Sequence, residues 1–303
     1  MKKYLPLETR FEGTEHNSNW EIVPKLAATY DFPMRDGLTL KGFGNFSKGF
    51  KAGGFNTQLF SDILRNRMMI GMMRDMGIYL EGQDYMDAGG TTYKPEDSYN
   101  LEAGFKGSME KGGHSLNLSA SVFYIACRNQ QLTAFPPGKS QGRYMRNAGR
   151  SHSAGVEVAA SYRYKGLDIS ASYGTANARF DRYDDGNNDY AGKHIPYSPE
   201  QTLYIHAGYT IGFQSSYLRS ITIGASCNGT GPIWWDDANE FRQDFYSLLG
   251  ADLTLGFRDF ELFANADNIL GKDYTVFWFK SVGNDFLQKG KTARARIGIR
   301  INL

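Results

Sequence analysis

The chain has 303 residues, among them 35 Gly, 9 Pro and 2 Cys, with a formal net charge of +2. That length can bury a large core without disulfides or metal clips, and the mild charge, with no strong basic stripe, argues against a nucleic-acid binder. No apolar run approaches the roughly 18 residues of a membrane-spanning helix, which excludes a helical membrane protein but not a membrane β-barrel, whose strands are apolar on one face only.

Period-two alternation dominates from there to the end. Leu116, Leu118, Ala120, Val122 and Tyr124 alternate with Asn117, Ser119 and Ser121; Val156, Val158, Ala160 and Tyr162 alternate with Glu157, Ser161 and Arg163. The same rhythm runs through Ile169–Tyr173, Leu203–Tyr209 and Ala251–Phe257, and closes with Ala295, Ile297, Ile299 and Ile301 against Arg294, Arg296 and Arg300. Such alternation predicts extended strands with one apolar face. Eleven are expected, over 20–32, 38–50, 99–110, 114–127, 144–164, 167–181, 201–212, 218–230, 245–258, 260–277 and 292–303.

The connections alternate too. Residues 33–37, 110–113, 165–166 and 258–259 are short and rich in turn formers, whereas 51–98, 128–143, 182–200, 231–244 and 278–291 are long and polar. Short turns at one end and long loops at the other describe an outer-membrane barrel, with 51–98 as a long extracellular loop. Tyr and Phe near strand ends (Tyr30, Phe32, Tyr162, Tyr164, Phe180, Tyr183) fit interfacial girdles. A soluble β-protein is the competing reading. The amino terminus, Met1 to Pro6, lacks the apolar core of a secretory signal. Cys127 and Cys227 fit two ordinary strand cysteines, and their spacing lends a disulfide no support.

Six segments resemble, in order, those of TonB-dependent outer-membrane receptors of the siderophore or iron-complex type, with a Bacteroidetes-like flavour. They are Asn45–Asn56, Tyr93–Gly104, Phe123–Ile125 with Gln130-Gln131-Leu132, Asn147–Ser151 with Ala154–Val158, Ile195–Thr202, and Ala266–Tyr274. The resemblance implies an all-β, antiparallel up-and-down transmembrane β-barrel embedded in outer-membrane lipid. In this family 22 strands enclose an N-terminal plug. No plug-like segment is read in 1–303, and an eleven-strand count is odd where bacterial barrels are even. The expectation is therefore a partial barrel domain, the C-terminal half of such a receptor, present as an open arc of about 11–12 strands. The missing signal peptide is read as part of the same truncation. The TonB complex would act through the missing N-terminal plug region. The ligand implied is a small molecule such as a metal–siderophore complex, and no bound cofactor is required. A complete small barrel acting as a passive channel or membrane enzyme is the alternative.

Candidate ligand residues come from the long loops. Met68, Met69, Met72, Met73 and Met76 follow Phe60, Ile63 and Leu64 at helical spacing, predicting a short helix over 60–76 within 51–98. Its methionines either pack on the rim or offer an adaptable surface to an apolar ligand, with Arg65, Arg67 and Arg74 facing an anionic one. Trp234, Trp235 and Trp278 either pack loops together or stack on a ligand. Arg294, Arg296 and Arg300 are expected on the lumen face, toward a plug. Asp181, Asp184, Asp185 and Asp189 miss the calcium-loop spacing, and the five histidines show no metal-ligand spacing. His16 two residues before Ser18 is a weak lipase-like signal, and no enzyme is expected.

Overall fold

The computed structural model describes residues 20–56, 69, 71–73, 75–77, 92–134, 144–185, 187–215, 217–281 and 284–301, with the side chains of Thr133, Ala134, Tyr144, Ala148 and Ser281 left aside. The main strands are β1 (Lys25–Phe32), β2 (Leu38–Lys51), β5 (Glu96–Lys111), β6 (His114–Ala134), β7 (Tyr144–Tyr164), β8 (Leu167–Tyr183), β9 (Gln201–Gly212), β10 (Leu218–Thr230), β13 (Tyr246–Phe257), β14 (Phe260–Asp267) and β17 (Arg294–Ile301). Three small hairpins lie in the long connections: β3 (Gly54–Phe55) with β4 (Thr92–Tyr93), β11 (Ile233–Trp234) with β12 (Arg242–Gln243), and β15 (Thr275–Ser281) with β16 (Asn284–Lys289).

The main strands form one eleven-stranded antiparallel sheet, each beside its chain neighbour. Among the described residues β1 pairs only with β2 and β17 only with β14, so the sheet is an open arc and not a small closed barrel. Apart from the two-residue strands within 51–98 and 231–244, the elements follow the alternation closely, with three differences. β6 continues through 128–134, where the polar run Arg128–Gln131 had suggested a loop. The strand expected over 260–277 ends at Asp267. Asn268 turns the chain there with φ of 49°, its side chain donating to the carbonyls of Lys272 and Lys291 and accepting from the Lys272 amide. Finally, 278–291, expected as loop, is largely hairpin.

Register assigns the faces. Leu40, Phe105, Leu118, Val158, Ala171 and Ile205 share one side, through partner positions such as Phe105 with Ala120 and Ala120 with Val158. Glu102, Ser121, Glu157, Gly174 and Thr202 share the other. Cys127 falls on the polar face and Cys227 on the apolar one, and both are free thiols. On β7 the apolar band runs from Tyr164 to Ala154. Those ten steps of about 3.3 Å, tilted 35–45°, rise about 25 Å, the height of a membrane barrel's apolar band. The band stays uncovered, with Ile297 on the edge strand 85% exposed.

On the polar face three phenylalanines oppose glycines directly across the ladder: Phe43 with Gly104, Phe123 with Gly155, and Phe263 with Gly298. Each ring occupies the space above its glycine, so a Cβ there would collide with it. These pairs pin register on a face that otherwise carries small polar groups.

Where chains leave the ladder for the long loops, amide side chains take over its hydrogen bonds. Buried Gln131 reaches the carbonyls of Lys51 (3.3 Å), Ala52 (2.9 Å) and Lys94 (3.2 Å). Asn147 accepts from the Lys94 amide at 2.6 Å and donates to the carbonyls of Lys94 and Asn129. Asn56 treats both backbone groups of Met145 the same way. The motifs carrying the family resemblance are thus the places where a strand end needs a substitute partner.

Gly155→Ala is expected to destabilise the sheet by about 1–3 kcal/mol through overpacking against Phe123 and the Thr175 carbonyl. Chemical unfolding in detergent should show Phe123→Ala relieving the ring's share of that loss, while the share owed to the Thr175 carbonyl persists; fully additive losses would remove the pairing argument.

Candidate functional site

Burial is concentrated at the long-loop end. The buried apolar residues Ala178, Phe180, Tyr183, Ile233, Trp235 and Trp278 all lie there. The connection 184–200 folds back onto β8, with the Phe180 amide donating to the Lys193 carbonyl, Gly192 to Phe180, and Ile195 to Ala178. It is joined to the next connection by Tyr197 donating to the Trp234 carbonyl and Glu200 to that of Pro232. Asn239 closes the same seam by bonding both backbone groups of His194.

Within this layer the aromatic side chains contact one another. Ile233, Trp235 and Trp278 form a small core with Phe241 against it, the Phe241 and Trp278 rings stacked at 4.8 Å. Trp235 and Trp278 are 5% and 6% exposed, so their rings serve packing between loops and offer no open stacking face. Trp234 is half-buried, lies 5.9 Å from the His194 ring, and carries the Arg242 guanidinium over its face at 5.3 Å. A second row faces solvent: Tyr197, Phe277, Phe279 and Phe286 follow one another at centroid spacings of 5.7, 5.6 and 5.0 Å. Phe277 and Phe279 flank Trp278 in sequence, whereas Tyr197 and Phe286 join the row only once β15 and β16 are paired and the Tyr197 hydroxyl holds the Trp278 carbonyl at 2.9 Å.

Polar groups brace the layer. The Asp236 carboxylate caps the amides of Glu240 and Phe241. Burial tends to push Asp185 up, yet the amides of Asn187 and Asn188 and the Tyr190 hydroxyl hold it below the usual carboxylate range. Burial, with Asp185 as hydrogen-bond acceptor, pushes Tyr190 up to about 12. Burial also raises Asp237, against the Tyr183 hydroxyl that donates to it and with the help of the neighbouring charges Asp236 and Asp185. His194 is held below its ordinary value by burial and by Arg179, with Glu200 opposing.

The remaining candidates are dispersed. Met69, residues 71–73 and Asp75 are helical, with Met69, Met72 and Met76 exposed and Met73 half-buried; Arg65, Arg67, Arg74 and Met68 lie outside the described residues, as do Phe60, Ile63, Leu64, His16 and Ser18. Arg294, Arg296 and Arg300 stand on the polar face of β17. Arg294 and Arg296 bond Asp267 at 3.0 and 3.2 Å, and Arg300 bonds Glu261 at 2.7 Å. Among the described residues no cluster of three His, Cys, Asp or Glu could hold a metal ion.

The comparisons agree with this architecture. A family model described as "TonB dependent receptor-like, beta-barrel" matches residues 6–269. The pesticin receptor of Yersinia enterocolitica serotype O:8 is 24% identical over 231 residues, covering 73% of this chain and 32% of the relative. Among solved structures, the ferric yersiniabactin uptake receptor of Yersinia pestis superposes with a TM-score of 0.64 at 18% identity, covering 91% of this chain and 36% of that one. A siderophore receptor of Acinetobacter baumannii gives 0.61 at 16%, covering 90% and 35%. The chain therefore spans about a third of the length of the relatives it matches. With strand order, facing and family match in agreement, the chain belongs to the TonB-dependent receptor family, within its β-barrel domain.

Proposed function

We propose that the chain is the C-terminal portion of the barrel of a TonB-dependent receptor in the Gram-negative outer membrane, importing an Fe(III)–siderophore. One observation carries this reading: the long connections assemble a braced aromatic layer with an exposed row of rings and a cation-capped indole. Flat, conjugated or catechol-bearing ligands stack on such surfaces. The solved neighbours, receptors for ferric yersiniabactin and for a siderophore, support an iron complex as cargo. Tyr197, Phe277, Phe279, Phe286 and Trp234 with Arg242 form the contact surface. Met72 and Met73, and Arg65, Arg67 and Arg74 outside the described residues, are assigned to the same ligand on side-chain chemistry alone. Arg294, Arg296 and Arg300 face the plug of the whole receptor, through which the TonB complex would deliver energy. The layer binds and orients; it performs no catalysis.

Tryptophan fluorescence of the refolded chain, titrated with Fe(III)–siderophores of catecholate, hydroxamate and phenolate type, tests the reading. Saturable quenching by at least one is expected, and Trp234→Leu combined with Phe279→Ala should weaken it about tenfold, the loss of one or two stacking contacts. Absence of saturation with every class sinks the assignment.

The His194 seam adds a pH dependence. Its folded-state pKa lies below the ordinary 6.5, so the folded loops bind fewer protons than the unfolded ones. That stability is present above pH 6.5 and is lost as pH falls through the folded value. Near-UV circular dichroism of the tryptophans should therefore decline below pH 6.5, and His194→Gln should abolish the step. Asp237 has the opposite sign, since its raised pKa favours the folded loops below 3.8 and that contribution fades as pH rises.

A further inference from the structure

The lipid-facing side of β6, β7 and β8 carries a feature that ligand import does not use. Arg150 stands directly opposite Arg182, like charge against like charge, an arrangement that costs stability in a sheet. Bulges bring further residues to the same place. Between the pairs Cys127 with Ser151 and Gln130 with Gly149, β6 has two residues against one on β7, and Arg128 there lies over the Tyr99 ring at 5.5 Å. Between Ser151 with Phe180 and Arg150 with Arg182, β8 has the extra residue Asp181. Phe180 and Tyr183 both stay on the buried, polar-face side, so the bulge turns Arg182 outward. Arg128, Arg150 and Arg182 thus line up across three adjacent strands, all exposed.

Neighbouring charges are neutralised and these are not. Lys48 is paired with Glu21 and Asp97, His152 with Asp181 at 2.6 Å, and Arg146 with Asp184. Among the described residues no ion pair involves Arg128, Arg150 or Arg182, and Asp97, which stands opposite Arg128 across the ladder, is engaged by Lys48. Arg179 beside them is held by the neutral acceptors Asn177 and Gly192. The height is also specific. The apolar band on β7 ends at Ala154, and four more residues rise about 10 Å, which is headgroup level past the hydrocarbon. Tyr99 and Tyr124, just below on the same side, occupy the interfacial position.

We propose that Arg128, Arg150 and Arg182 form a binding site for the phosphate headgroup of an anionic lipid in the outer leaflet. Phosphate oxygens between the guanidiniums would replace the mutual repulsion with charge-assisted hydrogen bonds. The inference rests on the membrane reading above but is independent of what the loops bind.

The test uses the full chain refolded in neutral detergent and titrated with bis-phosphorylated lipid A, dephosphorylated lipid A and inorganic phosphate. Wild-type protein should bind the phosphorylated lipid, and R128Q/R150Q/R182Q should bind it at least tenfold more weakly with unchanged strand content. R294Q/R296Q/R300Q, on the opposite face, should bind like wild type. Arg150→Gln alone should raise the thermal midpoint while lowering lipid affinity, a combination that a purely structural arginine would not give, and it serves if the triple variant fails to fold. Equal binding by wild type and R150Q, equal affinity for dephosphorylated lipid, or displacement by equimolar inorganic phosphate would overturn the lipid site and leave the receptor assignment intact. Failure of the wild-type chain to insert into neutral vesicles would overturn both.

Discussion

Hydrocarbon offers no hydrogen-bond partners, and that constraint organises this chain. Every backbone amide and carbonyl at membrane depth must be satisfied by a neighbouring strand. Long antiparallel ladders such as β6 with β7 meet that demand, and one face of each strand must then be apolar. Irregularity is displaced to the ends. The bulges at 128–129 and 181, the left-handed Asn129 and Asn268, and the amide clamps of Gln131, Asn147 and Asn56 all lie beyond the apolar band, where polar backbone can be met by side chains or water.

The same constraint explains where the core is. A single sheet with lipid on one side and an open polar face on the other has little to bury within itself. Apolar burial instead gathers in the loop layer around Trp235, Trp278 and Phe180. That layer is held by side-chain-to-backbone bonds from Asp236, Asn239 and Tyr197, so the exposed aromatic row sits on a braced support. Such support suits the proposed ligand contact, because less ordering would remain to be done on binding.

Facing is legible because period two maps directly onto it: alternation alone puts Val156 and Val158 on the apolar side and Arg294, Arg296 and Arg300 on the polar side. Three things are not. Alternation in Val276–Phe279 is genuine strand, but nothing local reveals that Asn268 separates it from β14 and sends it to a different partner. A tryptophan's neighbours in a loop come from other loops, so the burial of Trp235 and Trp278 could not be distinguished from exposure. Bulges insert one residue and reverse the facing beyond them, which a simple period count assigns wrongly; the outward position of Arg182 depends on that.

The sheet's strand order has a directional consequence. Successive strands alternate between running toward the short-turn end and away from it, and β1 and β17 stand an even number of steps apart. Both therefore run from the long-loop end to the short turns. A seam made directly between them would be parallel, the only such pair in an otherwise antiparallel wall. Antiparallel pairing at both edges of the described eleven strands would take an odd number of further strands, entering from the side opposite to where they leave.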